Sequence, residues 1–158
     1  MDPFSKYKVL KDFQTMKIVS LNDEAYAGEI DRALYDAKDA SSCFFRECTE
    51  DTRPFLKQLI TDTVYALVGE SNVYGIIRVR GNYASTFCIM PAFRNRGYGS
   101  ILLEYVKEKH GVGTPLFLSV FSPDSDAGQR LLKFYAGRGF ERRKTYADPR
   151  YSLLSYNA

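Results

Sequence analysis

Two hydrophobic periods alternate along this chain, and the places where one gives way to the other mark its elements. Residues 16–20, Met16-Lys17-Ile18-Val19-Ser20, read as a short strand. Asn22 or Asp23 then offers an N-cap, and Ala25, Ile30, Ala33, Leu34 and Ala37 recur at helical spacing, which predicts a helix to about Lys38. After the polar stretch 39–51, Pro54 suits the first turn of a second helix carrying Phe55, Leu56, Leu59 and Ile60. The period then shortens. Residues 64–68, 73–80 and 84–90 predict three strands joined by turns at Glu70-Ser71-Asn72 and Arg80-Gly81-Asn82, an antiparallel meander. A helix over 97–110 follows, with Leu102 and Val106 on one face, Ile101 and Tyr105 beside them, Glu104 and Lys107 outward, and Gly111 as C-cap. Residues 116–121 predict a strand parallel to the third of the meander, because a helix intervenes. Asp124-Ser125-Asp126 caps a last helix bearing Leu131, Leu132, Phe134, Tyr135 and Ala136, and strands over 142–147 and 151–156 close the chain.

The predicted order is β-α-α-β-β-β-α-β-α-β-β, with residues 1–15 as an N-terminal arm or extra edge element and 16–158 as one domain. At 158 residues the chain is long enough for a full core. A net charge of +3 suits an anionic ligand and is too mild to argue for nucleic acid. Three cysteines (Cys43, Cys48, Cys88) at wide spacing give neither a disulfide framework nor a zinc pattern, and with His110 as the only histidine no metal site is expected. No secretory leader or bilayer-length apolar run is read, so a cytoplasmic, membrane-free protein is expected.

The stretch with most chemistry is 87–100: Phe87, Cys88 and Ile89 end a strand, and Arg94-Asn95-Arg96-Gly97-Tyr98-Gly99-Ser100 leads into a helix. Gly97 and Gly99 leave room for a ligand to approach the backbone, the helix N-terminus offers N–H donors and a positive dipole end, and Arg94 and Arg96 add charge. Together these describe a diphosphate cradle, or else a surface turn with solvated charges. Arg94-x-x-Gly97-x-Gly99 after an apolar strand resembles the acetyl-CoA signature (Q/R)xxGx(G/A) of the GCN5-related N-acetyltransferases, the GNAT superfamily. Downstream, Phe134-Tyr135 and Gly139-Phe140 resemble that family's NxxAxxFYxxxGF segment, with Gly128 and Leu131 replacing its Asn and Ala. Ser125, Asp126 or Gln129 are the candidates to take over that Asn's polar contact.

The resemblance implies an α/β (α+β) fold with a mixed, mostly antiparallel central sheet of about seven strands and helices on both faces. It implies acetyl transfer from acetyl-CoA to a primary amine. Backbone N–H groups of Asn95, Arg96, Gly97, Tyr98, Gly99 and Ser100 would hold the pyrophosphate, Arg94 and Arg96 would add charge, and the backbone of Phe87, Cys88 and Ile89 would pair with the pantetheine arm. Tyr135 would be the general acid to the CoA thiolate, against the alternative of a packed aromatic. A lysine-like amine costs roughly 4.6 kcal/mol to deprotonate at pH 7, so a base is needed. The strand 84–89 lacks the family's Glu, which leaves a water chain at Ser85 or Thr86, or Glu24, Glu47 or Glu70, as candidates. Cys88 as a covalent acetyl carrier is disfavoured beside its reading as a small buried residue. Arg130 and Lys133 are candidates for the 3′-phosphate of CoA, and His110 for a surface helix end. The acids Asp36, Asp39, Glu47, Glu50 and Asp51 would suit a cationic acceptor such as a polyamine. A homodimer remains open. A CoA-binding module without efficient catalysis is the competing function.

Overall fold

The computed structural model describes residues 7–20, 63–70, 72–121, 123–143 and 150–157. Both helices expected before residue 63, and with them Glu24, Asp36, Asp39, Glu47, Glu50 and Asp51, lie outside the described residues. The chain divides into two compact units, one of Met1–Arg80 and Thr86–Glu104, the other of Gly81–Ser85 and Tyr105–Ala158.

In the first unit the hydrogen-bonded strand order is β1 (Val9–Asp12), β2 (Lys17–Ser20), β3 (Thr63–Val68), β4 (Val73–Arg80) and the end of β5 (Tyr83–Ile89). β1, β2, β3 and β4 pair antiparallel in succession. Val9–Asp12, read from sequence only as an arm or edge element, is a strand, and its register slips by a bulge between Val9 and Lys11. β-branched and aliphatic residues make β3 and β4 suited to a fully covered sheet. All of Val64–Val68 is buried, so both faces of β3 are covered. Ile76, Ile77 and Val79 continue that core, with Leu102 and Leu103 from the helix α1 (Tyr98–His110).

In the second unit the order is β5, β6 (Leu116–Phe121), β8 (Tyr151–Tyr156), β7 (Phe140–Arg142). β5 runs parallel to β6 at Tyr83↔Phe117 and Ala84↔Leu118, the strand–helix–strand arrangement expected from the intervening helix. β8 inserts antiparallel between β6 and β7. Leu116, Leu118, Val120 and Leu154 are buried, with Tyr105 and Val106 from the end of α1. The helix α2 (Asp126–Ala136) starts at Ser125, whose hydroxyl accepts from Gly128 N at 3.0 Å.

Two local expectations are corrected, and a third gains a further reason. The strand expected over 142–147 begins earlier, at Phe140, because that ring is the buried anchor, while 144–149 lie outside the described residues. Lys107 does not point outward: its Nζ donates to Arg138 O at 2.8 Å and sits 4.4 Å from the Tyr156 ring centre. Gly111 closes the helix through its N–H to Lys107 O (2.9 Å), but the reason for glycine is space. A Cβ there would lie 2.8 Å from Lys107 O and 3.0 Å from the Tyr156 ring. No described helix is long and apolar enough to cross a membrane.

Candidate functional site

The candidate cradle is built in the first unit, where β5 runs out. Met90 N still donates to Tyr74 O on β4 (2.9 Å), and a 3-10 turn, Pro91–Phe93, then closes through Phe93 N to Met90 O (2.9 Å). Beyond it the backbone enters the left-handed region twice, at Asn95 (φ 63°) and Gly97 (φ 85°). Asn tolerates this conformation and Gly adopts it freely, whereas most L side chains resist it. Ile101 N to Gly97 O (3.2 Å) is the hydrogen bond that opens α1. The N–H groups of the helix's first turn therefore have no acceptor within the helix, and they follow directly on the left-handed positions. Such a run of N–H groups makes a concave receptor for anions, with the helix dipole adding to it. Apart from its chain neighbours, no atom among the described residues lies within 4 Å of the place a Cβ on Gly97 would take.

Arg94, Asn95, Arg96 and Gly97 are exposed, and Tyr98, Gly99 and Ser100 are half-buried. Both arginines are anchored. Arg94 Nε donates to Ile89 O (2.9 Å), which holds the guanidinium beside the end of β5. The Arg96 guanidinium lies 5.7 Å from the Phe93 ring centre. The residues present thus fit a diphosphate: backbone donors at two left-handed positions, a helix start and two held guanidinium groups.

On β5, Phe87 and Ile89 are half-buried and Cys88 is buried, its Sγ 3.6 Å from Ile89 O. Ile89 O therefore faces both Cys88 and Arg94. This gives Cys88 the surroundings of a packed core thiol.

The sequence pattern of the loop missed Tyr74. Its ring stacks on Tyr98 at 4.4 Å with 3° between planes and meets Phe93 edge-on at 4.7 Å. Desolvation, then the charge and hydrogen bond of the Tyr98 hydroxyl, then Glu70, push the Tyr74 phenol above its ordinary pKa, with Arg96 pulling the other way. Tyr74 therefore stays neutral at physiological pH. The available signal was an aromatic beside Gly75 on the strand next to the loop, which sequence alone reads as ordinary strand packing.

Tyr135 belongs to the second unit. It is buried on α2 in a chain of rings: edge contacts to Phe134 (5.3 Å, 77°) and Phe140 (5.6 Å, 65°), and Phe140 tilted against Tyr156 at 5.6 Å. The rings of Phe134 and Phe140 thus meet the Tyr135 ring, and Gly139 lies against Tyr156, the next ring of the chain. Arg138 covers Phe134 from 3.8 Å and donates to its carbonyl (2.9 Å).

Of the proposed replacements for the missing Asn, Ser125 serves as helix cap and Gln129 Nε2 donates to Pro123 O at 2.7 Å; Asp126 is exposed in the first turn. Arg130 and Lys133 are exposed on α2, and Glu70 is exposed in the turn after β3. Ser85 and Thr86 are residues of β5.

No family model matches the sequence, and no curated protein does. Solved structures share its fold. An acetyltransferase from Thermus thermophilus matches with a TM-score of 0.71 over 89% of this chain and 96% of its own, at 16% identity. An acetyltransferase of the GNAT family from Staphylococcus aureus matches at 0.65 over 89% and 98%, with 15% identity. An acetyltransferase from Streptococcus agalactiae matches at 0.62 over 91% and 99%, also with 15% identity. The chain has the GNAT acetyltransferase fold.

Proposed function

We propose that this protein transfers the acetyl group of acetyl-CoA to a primary amine, with a small amine or polyamine favoured over a protein lysine or N-terminus. The observation that carries this reading is the segment 94–100, where two left-handed residues deliver backbone donors to a helix start. In the proposed reaction the neutral amine attacks the thioester carbonyl, a C–N bond forms and the C–S bond breaks. The amine's proton leaves to solvent through water. The Tyr135 hydroxyl protonates the departing thiolate and is reprotonated from solvent. Burial among Phe134 and Phe140 fixes the phenol's direction and supports this role, since a general acid must be held in place to act. The pantetheine arm would lie along the backbone of Phe87, Cys88 and Ile89, and its amides would use the same donor–acceptor pattern as a strand.

The test is a thiol-release assay with acetyl-CoA over spermidine, spermine, putrescine, free lysine, an aminoglycoside and a histone-tail peptide, with wild type beside Tyr135→Phe. Turnover on one amine class, reduced about a hundredfold or more by the substitution, is expected. Equal turnover in both proteins would remove Tyr135 as the acid and keep the transferase. Binding of acetyl-CoA without turnover on any amine would favour the binding module that the absent strand Glu also suits.

A further inference from the structure

Tyr74 stands outside the loop, yet it touches the loop's entry, middle and exit. Its carbonyl accepts from Met90, the residue before the 3-10 turn. Its ring meets Phe93, which ends that turn, and lies flat on Tyr98, which begins α1. Between Phe93 and Tyr98 lie the left-handed Asn95 and Gly97. The ring is itself held from behind. Its hydroxyl fills the space that a Cβ on Gly69 would occupy, and Gly69 N closes the β3–β4 turn on Asn72 O at 2.9 Å.

We propose that Tyr74 is a positioning residue for the cofactor loop, setting its affinity for the diphosphate of acetyl-CoA without touching it. The stack holds 93–98 in the anion-receiving conformation before the ligand arrives. A loop that must be ordered by its ligand loses that ordering entropy from the affinity, and a loop already held does not. The turn at Gly69 sets where the ring lies, so the β3–β4 turn tunes the site from a distance. This proposal rests on the diphosphate reading of the same loop.

A residue that only fills space would change the melting temperature and nothing else. Positioning instead raises the Kd and KM for acetyl-CoA while leaving kcat and the amine KM in place. The experiment is calorimetric titration of acetyl-CoA into wild type, Tyr74→Leu, Tyr74→Phe, Gly69→Ala and the Gly69→Ala/Tyr74→Leu double variant, with a melt for each and steady-state kinetics on whichever amine is turned over. Tyr74→Leu, which removes the stack but keeps bulk, should raise the acetyl-CoA Kd about tenfold, and Tyr74→Phe should stay within about twofold of wild type. Gly69→Ala, by pushing the ring off Tyr98, should weaken binding as well and add little to Tyr74→Leu, since both act through one ring. A folded Tyr74→Leu with the wild-type Kd would overturn the proposal. Should Tyr74→Leu fail to fold, Gly69→Ala decides: weaker binding supports the proposal and unchanged binding overturns it. A wild-type protein that does not bind acetyl-CoA would sink the diphosphate reading first, and the proposal with it.

Discussion

Gly97 and His110 show two ways in which a single residue carries consequences. Gly97 holds φ at 85°, and apart from its chain neighbours no atom of the described residues lies within 4 Å of where a side chain would start. Gly97→Ala should therefore cost the fold only the left-handed strain, roughly 1–2 kcal/mol. On the proposed diphosphate reading it should cost acetyl-CoA binding more, because the methyl would stand in the loop that is proposed to receive the ligand. Paired melts and titrations check this, and a binding loss no larger than the stability loss would refute it. His110, half-buried at the end of α1, has its pKa held below the ordinary 6.5 by desolvation, partly offset by a hydrogen bond with the Gly81 backbone. The folded state thus prefers the neutral ring. Its contribution to stability is full above the unfolded value of about 6.5 and is lost as pH falls toward the folded pKa, because only the unfolded chain takes up the proton. His110→Gln should flatten the decline of Tm on acidification through that window; parallel Tm–pH curves for the two proteins would rule the effect out.

At the scale of elements, helix ends matter more than helix faces. α2 carries Tyr135, and its start depends on the Ser125 cap. Ser125→Ala should destabilise by about 1 kcal/mol, visible as a lower denaturant midpoint with an unchanged m-value. The end of α1 is set by the close approach of Tyr156 to Gly111. Gly111→Ala would gain up to about 1 kcal/mol from a stiffer unfolded chain. Against this, the added methyl meets both the Lys107 carbonyl and the ring, an overpacking of roughly 1–3 kcal/mol. The second effect wins, and a lower Tm is expected. A raised Tm would mean that Tyr156 gives way freely.

For the whole molecule, the chain crosses between its two compact units at the turn between β4 and β5, within β5 and again within α1, and the proposed cradle lies between the last two crossings. Acetyl-CoA at a hundred times its Kd should stabilise the fold by about 2.7 kcal/mol, read as a rise in Tm that grows with ligand concentration. A positive net charge of +3 and an anionic ligand also predict association that slows as salt is added. A Tm insensitive to acetyl-CoA would contradict the proposed function at this scale.

Local chemistry made much of this protein legible in one dimension. The short apolar runs of Val64–Val68 and Val73–Arg80 bounded by turns, helical spacing after Gly97, the Ser125 cap and the Gly-rich loop all act within a few residues, so their order in the sequence is their physics. The parallel pairing of β5 with β6 was also legible, because the helix between them constrains it. Contacts between distant residues were not. Tyr74 is 24 positions before Tyr98 and joins it only because β4 lies beside β5. The insertion of β8 between β6 and β7, the turning of Lys107 onto Tyr156 and the demand for glycine at position 111 likewise depend on which surfaces pack together. The sequence by itself determined most of the described elements and the chemistry on which the proposed anion-binding role of the loop rests. Tertiary packing decided what holds that loop and which rings surround Tyr135, because such contacts exist only once the sheet has brought remote residues within a few ångströms.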